Sequence, residues 1–170
     1  MTPPKRVLFV CVENSNRSQM AEASVRLLGP GGAEATSAGS RPQGRVNPKA
    51  VEAMQELGYD LSRHVSKGLS DFNGKEVDVA VTMSCGDECP LVLAKRRVDW
   101  QIPDPRDMTP EEFRQVRNLI EAKVTELLKT LSRHSLSALA DDLRRLIERS
   151  DVWAAEALRR GCQSKKAPSA

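Results

Sequence analysis

Aromatic residues are scarce, with one Tyr, three Phe and two Trp making up 4% of 170 residues. A core with so few large rings must be filled by Leu, Val, Ala and Met. Long apolar runs are missing too, and nothing approaches the roughly 18 consecutive apolar residues that a membrane span requires. Near the start only residues 7–12 are apolar, too short for a secretory leader, and no small-residue cleavage site follows. A cytoplasmic location is therefore expected, and no membrane partner. Excess charge of one sign is absent: the net charge is +3, too small to argue for nucleic-acid binding. Cysteine is limited to Cys11, Cys85, Cys89 and Cys162. In a reducing compartment four such thiols are catalytic, metal-binding or inert rather than a disulfide framework.

What is present alternates between strand and helix patterns. Val7-Leu8-Phe9-Val10 reads as a strand buried on both faces. A helix over about 18–28 follows, closed by Gly29-Pro30-Gly31-Gly32. Residues 35–38 suggest a second strand ending at Gly39. Asn47-Pro48 is an N-cap with Pro at the first helical position, opening a helix to Leu57 that Gly58 stops. Residues 77–82 form the next strand, and Trp100-Gln101-Ile102 is expected as a further one. Thr109-Pro110-Glu111-Glu112 is a capping box that starts a helix to about Leu131. Beyond Ser132 the pattern changes: a second amphipathic helix is expected over 135–160, with a frayed polar tail at 165–170. The chain thus divides into a domain over 1–132 and a helical extension over 133–170. Alternating strands and helices imply a parallel sheet with helices on both faces, and ligands bind such sheets beyond the carboxyl ends of the strands. Cys11, Cys85 and Asp104 each follow an expected strand, so the three can share one rim.

The segment from Cys11 to Arg17 carries the most information. A cysteine, five residues and an arginine lie between a buried strand and a helix. Seven residues can wrap as a cradle whose N–H groups converge on a tetrahedral oxyanion, so Val12, Glu13, Asn14, Ser15, Asn16, Arg17 and Ser18 are the expected oxyanion-binding residues. Arg17 adds a planar fork of donors. The same field favours the thiolate of Cys11, which Ser18 can further stabilise with its hydroxyl. Asn14 suits a left-handed backbone, as a tight loop requires. Read blandly, Cys11 is a buried small hydrophobe and Arg17 a surface charge. The strand before the loop, the helix after it and the Ser beside Arg17 favour the cradle.

The run Val10-Cys11-Val12-Glu13-Asn14-Ser15-Asn16-Arg17-Ser18-Gln19-Met20-Ala21-Glu22 resembles the arsenate reductases of the low-molecular-weight protein tyrosine phosphatase superfamily. Further matches are Ser37-Ala38-Gly39-Ser40, Asn47-Pro48 with its helix, residues 81–90 and residues 100–105, so the resemblance covers about 5–131. It implies an α/β three-layer sandwich with a central parallel four-stranded sheet, here with an extra C-terminal helix. It also implies that Cys11 attacks arsenate while Asp104, held between two prolines, protonates the leaving oxygen as general acid. A second thiol, Cys85 or Cys89, would then attack Cys11, release arsenite and pass the oxidation on. Four residues apart on one helical turn, the pair's Cα atoms would be about 6 Å apart, near disulfide range.

The short Cys85-Gly86-Asp87-Glu88-Cys89-Pro90 form is similar to reductases served by a low-molecular-weight thiol and a glutaredoxin-like protein, with thioredoxin the other candidate. No tightly bound cofactor is implied. Some members hold potassium with Asn, Glu, Ser and a carboxylate. Asn14, Glu22 and Ser37 match, but Lys67 stands at the carboxylate position, so its ammonium replaces the ion and no metal is expected. The alternative reading is a phosphatase of phosphotyrosine or small phosphomonoesters, against which stands a single tyrosine, Tyr59, where such enzymes carry a pair. Phosphate and sulfate are the expected substrate analogues, and a monomer or homodimer the expected state. Cys85 and Cys89 as zinc ligands with Cys11 or His64 is a weaker possibility. His64 and His134 read as surface or partly buried polar residues, and Cys162 as a free thiol.

Overall fold

The computed structural model describes residues 3–29, 32–84 and 92–163, with 135, 138, 142 and 146–163 described by backbone alone. The chain divides into two units, Met1–Leu131 and Ser132–Ala170.

In the first unit, four parallel strands form one sheet in the order β2-β1-β3-β4. They are β1 (Lys5–Cys11), β2 (Ala33–Gly39), β3 (Val77–Met83) and β4 (Ala94–Trp100). The α-helices are α1 (Arg17–Leu28), α2 (Pro48–Gln55) and α3 (Pro110–Gln163). Strand β1 is central, pairing Val7 with Ala35 on one side and Val79 on the other. Its alternate side chains enter different cores, which is why its sequence is apolar without interruption. Val7, Phe9 and Cys11 join Met20, Met54, Phe113 and Ile120 from the three α-helices. Leu8 and Val10 pack on the opposite face with Ala38, Leu69 and Val92, beneath a 3-10 turn at Leu69–Phe72. The sheet is thus the middle of three layers, with the longer helices on one side.

The expected fourth strand at 100–102 is displaced. Strand β4 occupies Ala94–Trp100, and Gln101 and Ile102 lie beyond its end. Lys95, Arg96, Arg97 and Asp99 give it no apolar signature. Charged side chains are a usual feature of an edge strand, which has only one neighbour to satisfy. Asp99 accepts the Thr82 hydroxyl at 2.6 Å, and Lys95 Nζ donates to Asp78 at 2.8 Å across the pair.

The helix signals act as expected. Asn47 accepts Lys49 N–H at 3.0 Å, and Gly58 ends the following turn at φ +81°. At α3, Thr109 N–H donates to Glu112 at 2.9 Å and the Thr109 hydroxyl accepts Glu112 N–H at 3.3 Å, the reciprocal capping box. Two separate helices were expected after Thr109, but α3 is continuous to Gln163. Neither Gly nor Pro interrupts residues 111–160, so no break is imposed. Phe113, Val116, Ile120, Val124, Leu127 and Leu131 are buried at helical spacing, whereas Leu136, Leu139 and Leu143 in the second unit are exposed. No helix among the described residues is long and apolar enough to cross a membrane.

Candidate functional site

Because the strands are parallel, Cys11, Gly39, Met83 and Trp100 all end at one rim. Cys11 is the last residue of β1 and α1 begins at Arg17, so five residues must reverse between them. The reversal requires Asn14 at φ 50°, the left-handed region that Asn tolerates better than most residues. Loop carbonyls are tied to the chain after β2: Ser40 N–H donates to Cys11 O at 3.3 Å, Arg41 N–H to Val12 O at 2.8 Å and Gln43 N–H to Glu13 O at 3.1 Å. With these carbonyls engaged on one side, Asn14 N–H is turned to the Cys11 sulfur on the other. Gly39 permits this approach, since a Cβ there would sit 2.6 Å from Val12 O and 2.8 Å from Asn14 N.

The Cys11 sulfur receives two hydrogen bonds. Asn14 N–H donates at 3.2 Å and the Ser18 hydroxyl lies at 3.0 Å. Ser18 Oγ also accepts Asn14 Nδ2 at 2.8 Å, which ties the hydroxyl beside the sulfur to the loop. Both contacts fix the position of the sulfur at the end of β1. Arg17, 6% exposed, donates through Nη1 to Met83 O and Ile102 O at 3.1 Å each, and through Nη2 to Asp104 Oδ2 at 3.3 Å. The guanidinium therefore joins the ends of β3 and β4 to the loop. Asp104 stays half exposed, and its other oxygen accepts Arg106 N–H at 3.2 Å. Cys11, Glu13, Ser15, Asn16, Arg17 and Asp104 line one small cavity.

A second set of contacts, from Gln19 nearby and from the distant segment around residues 59–67, holds Asn14 in place. Gln19 Nε2 donates to Asn14 Oδ1 at 2.8 Å, and Lys67 N–H donates to the same oxygen at 2.7 Å. Gln19 Oε1 lies 2.9 Å from His64 Nδ1, and His64 Nε2 lies 2.8 Å from the Tyr59 hydroxyl. Burial holds the imidazole below its ordinary value of 6.5, so the neutral ring with hydrogen on Nδ1 fits both contacts. Glu22, 2% exposed, is answered by Ser37 Oγ at 2.5 Å, Arg26 Nη2 at 2.5 Å and Lys67 Nζ at 3.4 Å. A hydroxyl, a guanidinium and an ammonium thus all face this buried carboxylate.

The geometry gathers Cys11, Arg17 and Asp104; Val12 to Asn16 form the turn between β1 and α1, and Arg17 and Ser18 open α1. Cys85 and Cys89 lie outside the described residues. The sequence reading gave His64 and Lys67 no part in shaping the loop, and did not consider Arg106, which pairs with Glu13 across the cavity mouth. Ser84 was also missed. It takes φ 52° and places its hydroxyl between Trp100 O at 3.3 Å and Ile102 N–H at 3.0 Å, fastening the ends of β3 and β4. For His64 the only available signal was position, shortly before Lys67 in a segment without a helix or strand pattern.

Fold and loop together define a class: α/β proteins that present a cysteine thiol in an amide-lined cradle after the first strand. Residues 6–137 match the family model described as low molecular weight phosphotyrosine protein phosphatase, and the chain belongs to that family. Among its relatives is the glutaredoxin arsenate reductase of Synechocystis, 37% identical over 131 residues that cover 75% of this chain and 99% of the relative. A solved structure described as an arsenate reductase in the phosphate binding state is 37% identical with a TM-score of 0.69, covering 75% of this chain and 98% of that one. The thioredoxin-dependent arsenate reductase of Corynebacterium glutamicum is 32% identical with a TM-score of 0.66, covering 78% of this chain and 64% of that one.

Proposed function

We propose that this protein reduces arsenate to arsenite, with Cys11 as nucleophile. The observation that carries the reading is that Cys11, Arg17 and Asp104 line one cavity, with the Arg17 guanidinium paired to the Asp104 carboxylate. The names of the relatives supply the substrate.

Loop N–H groups and Arg17 hold the arsenate oxygens while the Cys11 thiolate attacks arsenic. Asp104 gives its proton to the departing hydroxyl, which leaves as water, and a Cys11–arsenic(V) bond is formed. A second thiolate, from Cys85 or Cys89, attacks the Cys11 sulfur. The sulfur–arsenic electron pair then passes to arsenic, arsenite departs and a disulfide to Cys11 remains. The other member of the pair attacks that disulfide, restores Cys11 as a thiolate and leaves Cys85–Cys89 oxidised. An external thiol, from a glutaredoxin with a low-molecular-weight thiol or from thioredoxin, reduces that bond. The reading includes a cytoplasmic setting, no tightly bound cofactor, Lys67 in place of a metal ion, a reductase domain over 1–132 with an extension over 133–170, and a monomer or homodimer.

The family description supports a second reading. Cys11, Arg17 and Asp104 would equally serve phosphomonoester hydrolysis, which needs neither Cys85 nor Cys89. Single turnover with pre-reduced protein and no external reductant separates the two. Wild type is expected to yield about one arsenite per chain, with loss of two thiols, and Cys85→Ser or Cys89→Ser to fail. No arsenite with any thiol reductant, together with hydrolysis of an aryl phosphate, would establish the phosphatase instead.

A further inference from the structure

Asn16 is an N-cap that does not cap. It stands immediately before α1, where Asn normally accepts a hydrogen bond from a first-turn N–H, yet its side chain makes no cap bond. The residue is 5% exposed, and Oδ1 is fully buried with no hydrogen-bond partner among the described residues. Leaving a buried amide oxygen unpaired costs stability unless something else supplies a donor. Asn16 also lines the cavity shared by Cys11, Arg17 and Asp104.

Of the other groups lining that cavity, only the Ser15 hydroxyl is a further neutral acceptor, and it is turned to Glu13. Backbone N–H groups and the Arg17 guanidinium cannot accept a hydrogen bond, and Asp104 acting as an acid gives one. The Glu13 carboxylate is engaged by Arg106 and lies 3.4 Å from the Ser15 hydroxyl. Near neutral pH, arsenate and phosphate each keep at least one O–H, which needs an acceptor. Sulfate has the same tetrahedral shape and carries two negative charges, but has no O–H. A cradle of donors alone would not distinguish them, whereas one neutral acceptor would.

We propose that the Asn16 side-chain oxygen accepts the hydrogen bond of the protonated oxygen on the bound oxyanion, selecting arsenate and phosphate over sulfate. This deepens the assignment of the cavity as an oxyanion site and rests on it. A neutral amide suits the task, since a carboxylate in its place would accept the same bond but repel the anion's charge.

The test uses inorganic phosphate and sulfate, which bind without being reduced, titrated into full-length reduced protein. Wild type is expected to prefer phosphate. Asn16→Ala is expected to weaken phosphate by about tenfold, the scale of one buried hydrogen bond, with sulfate nearly unchanged. Asn16→Asp keeps an acceptor and adds repulsion, so both anions weaken while the preference for phosphate persists. Equal weakening of both anions by Asn16→Ala would overturn the proposal, as would loss of the preference in Asn16→Asp. If Asn16→Ala does not fold, the Asn16→Asp ratio decides. Failure of wild type to bind either anion would overturn the underlying assignment, a different result from binding both without preference.

Discussion

At the residue scale the site depends on a few groups that cannot be exchanged. Asp104 accepts from Arg17 Nη2 and Arg106 N–H at the half-exposed edge of the cavity, so its removal should spare anion binding. Asp104→Asn is expected to slow arsenate-dependent loss of the Cys11 thiol by roughly 10²–10⁴-fold, the range of one general acid. Phosphate affinity should change little, and a large loss in a phosphate titration would contradict the acid's role. Gly39 has a different function, because it leaves room for the loop backbone. Gly39→Ala would push a methyl into Val12 O and Asn14 N, neither of which can swing aside as a side chain would. A destabilisation of about 1–3 kcal/mol is expected in denaturant titration, accompanied by weaker phosphate binding as the cradle is displaced. Cys11, Arg17 and the left-handed Asn14 were legible from sequence because loop chemistry is local. The strand pattern put Asp104 at the same rim, but its role as an acid came only from the resemblance: an Asp before a proline is equally a turn residue.

At the element scale the helix caps were readable and β4 was not. Caps use side chains within three or four residues of the backbone they satisfy, so Asn47 and the Thr109–Glu112 pair announce themselves. An edge strand such as β4 gains its hydrogen bonds from β3 and keeps charged side chains in water, leaving little hydrophobic pattern to read. Helix α3 combines a buried stripe up to Leu131 with exposed leucines beyond. Ile120→Ala is therefore expected to cost about 2–5 kcal/mol, seen as a lower denaturant midpoint at unchanged slope. Leu136→Ala, at a position 67% exposed, should stay within about 0.5 kcal/mol.

At the scale of the whole molecule, the loop is stabilised by distant segments, and this connects its integrity to pH. His64 is buried on Gln19 and held below its ordinary value of 6.5 by desolvation. An unfolded chain takes up that proton near the ordinary value, whereas the folded protein resists it. The stability from neutral His64 is thus fully present above about pH 6.5 and declines as pH falls towards the folded-state value. Denaturant titrations at about pH 7.5 and 5.5 should show a loss of stability in wild type that is smaller in His64→Gln. An equal loss in both proteins would place the pH dependence elsewhere.

The sequence alone determined the central buried strand, the tight loop from Cys11 into the helix at Arg17, the capped helix starts and the alternation that makes the sheet parallel. Each follows from interactions between residues a few positions apart or from a periodicity along a single element. Tertiary structure decided which carbonyls hold Arg17, which edge receives β4, and how Lys67 reaches Asn14, and His64 reaches Gln19, across more than 40 residues of chain. It also left the Asn16 oxygen buried beside the thiol without a partner among the described residues. Such contacts depend on where the folded backbone brings distant segments together, and neither composition nor spacing encodes that distance.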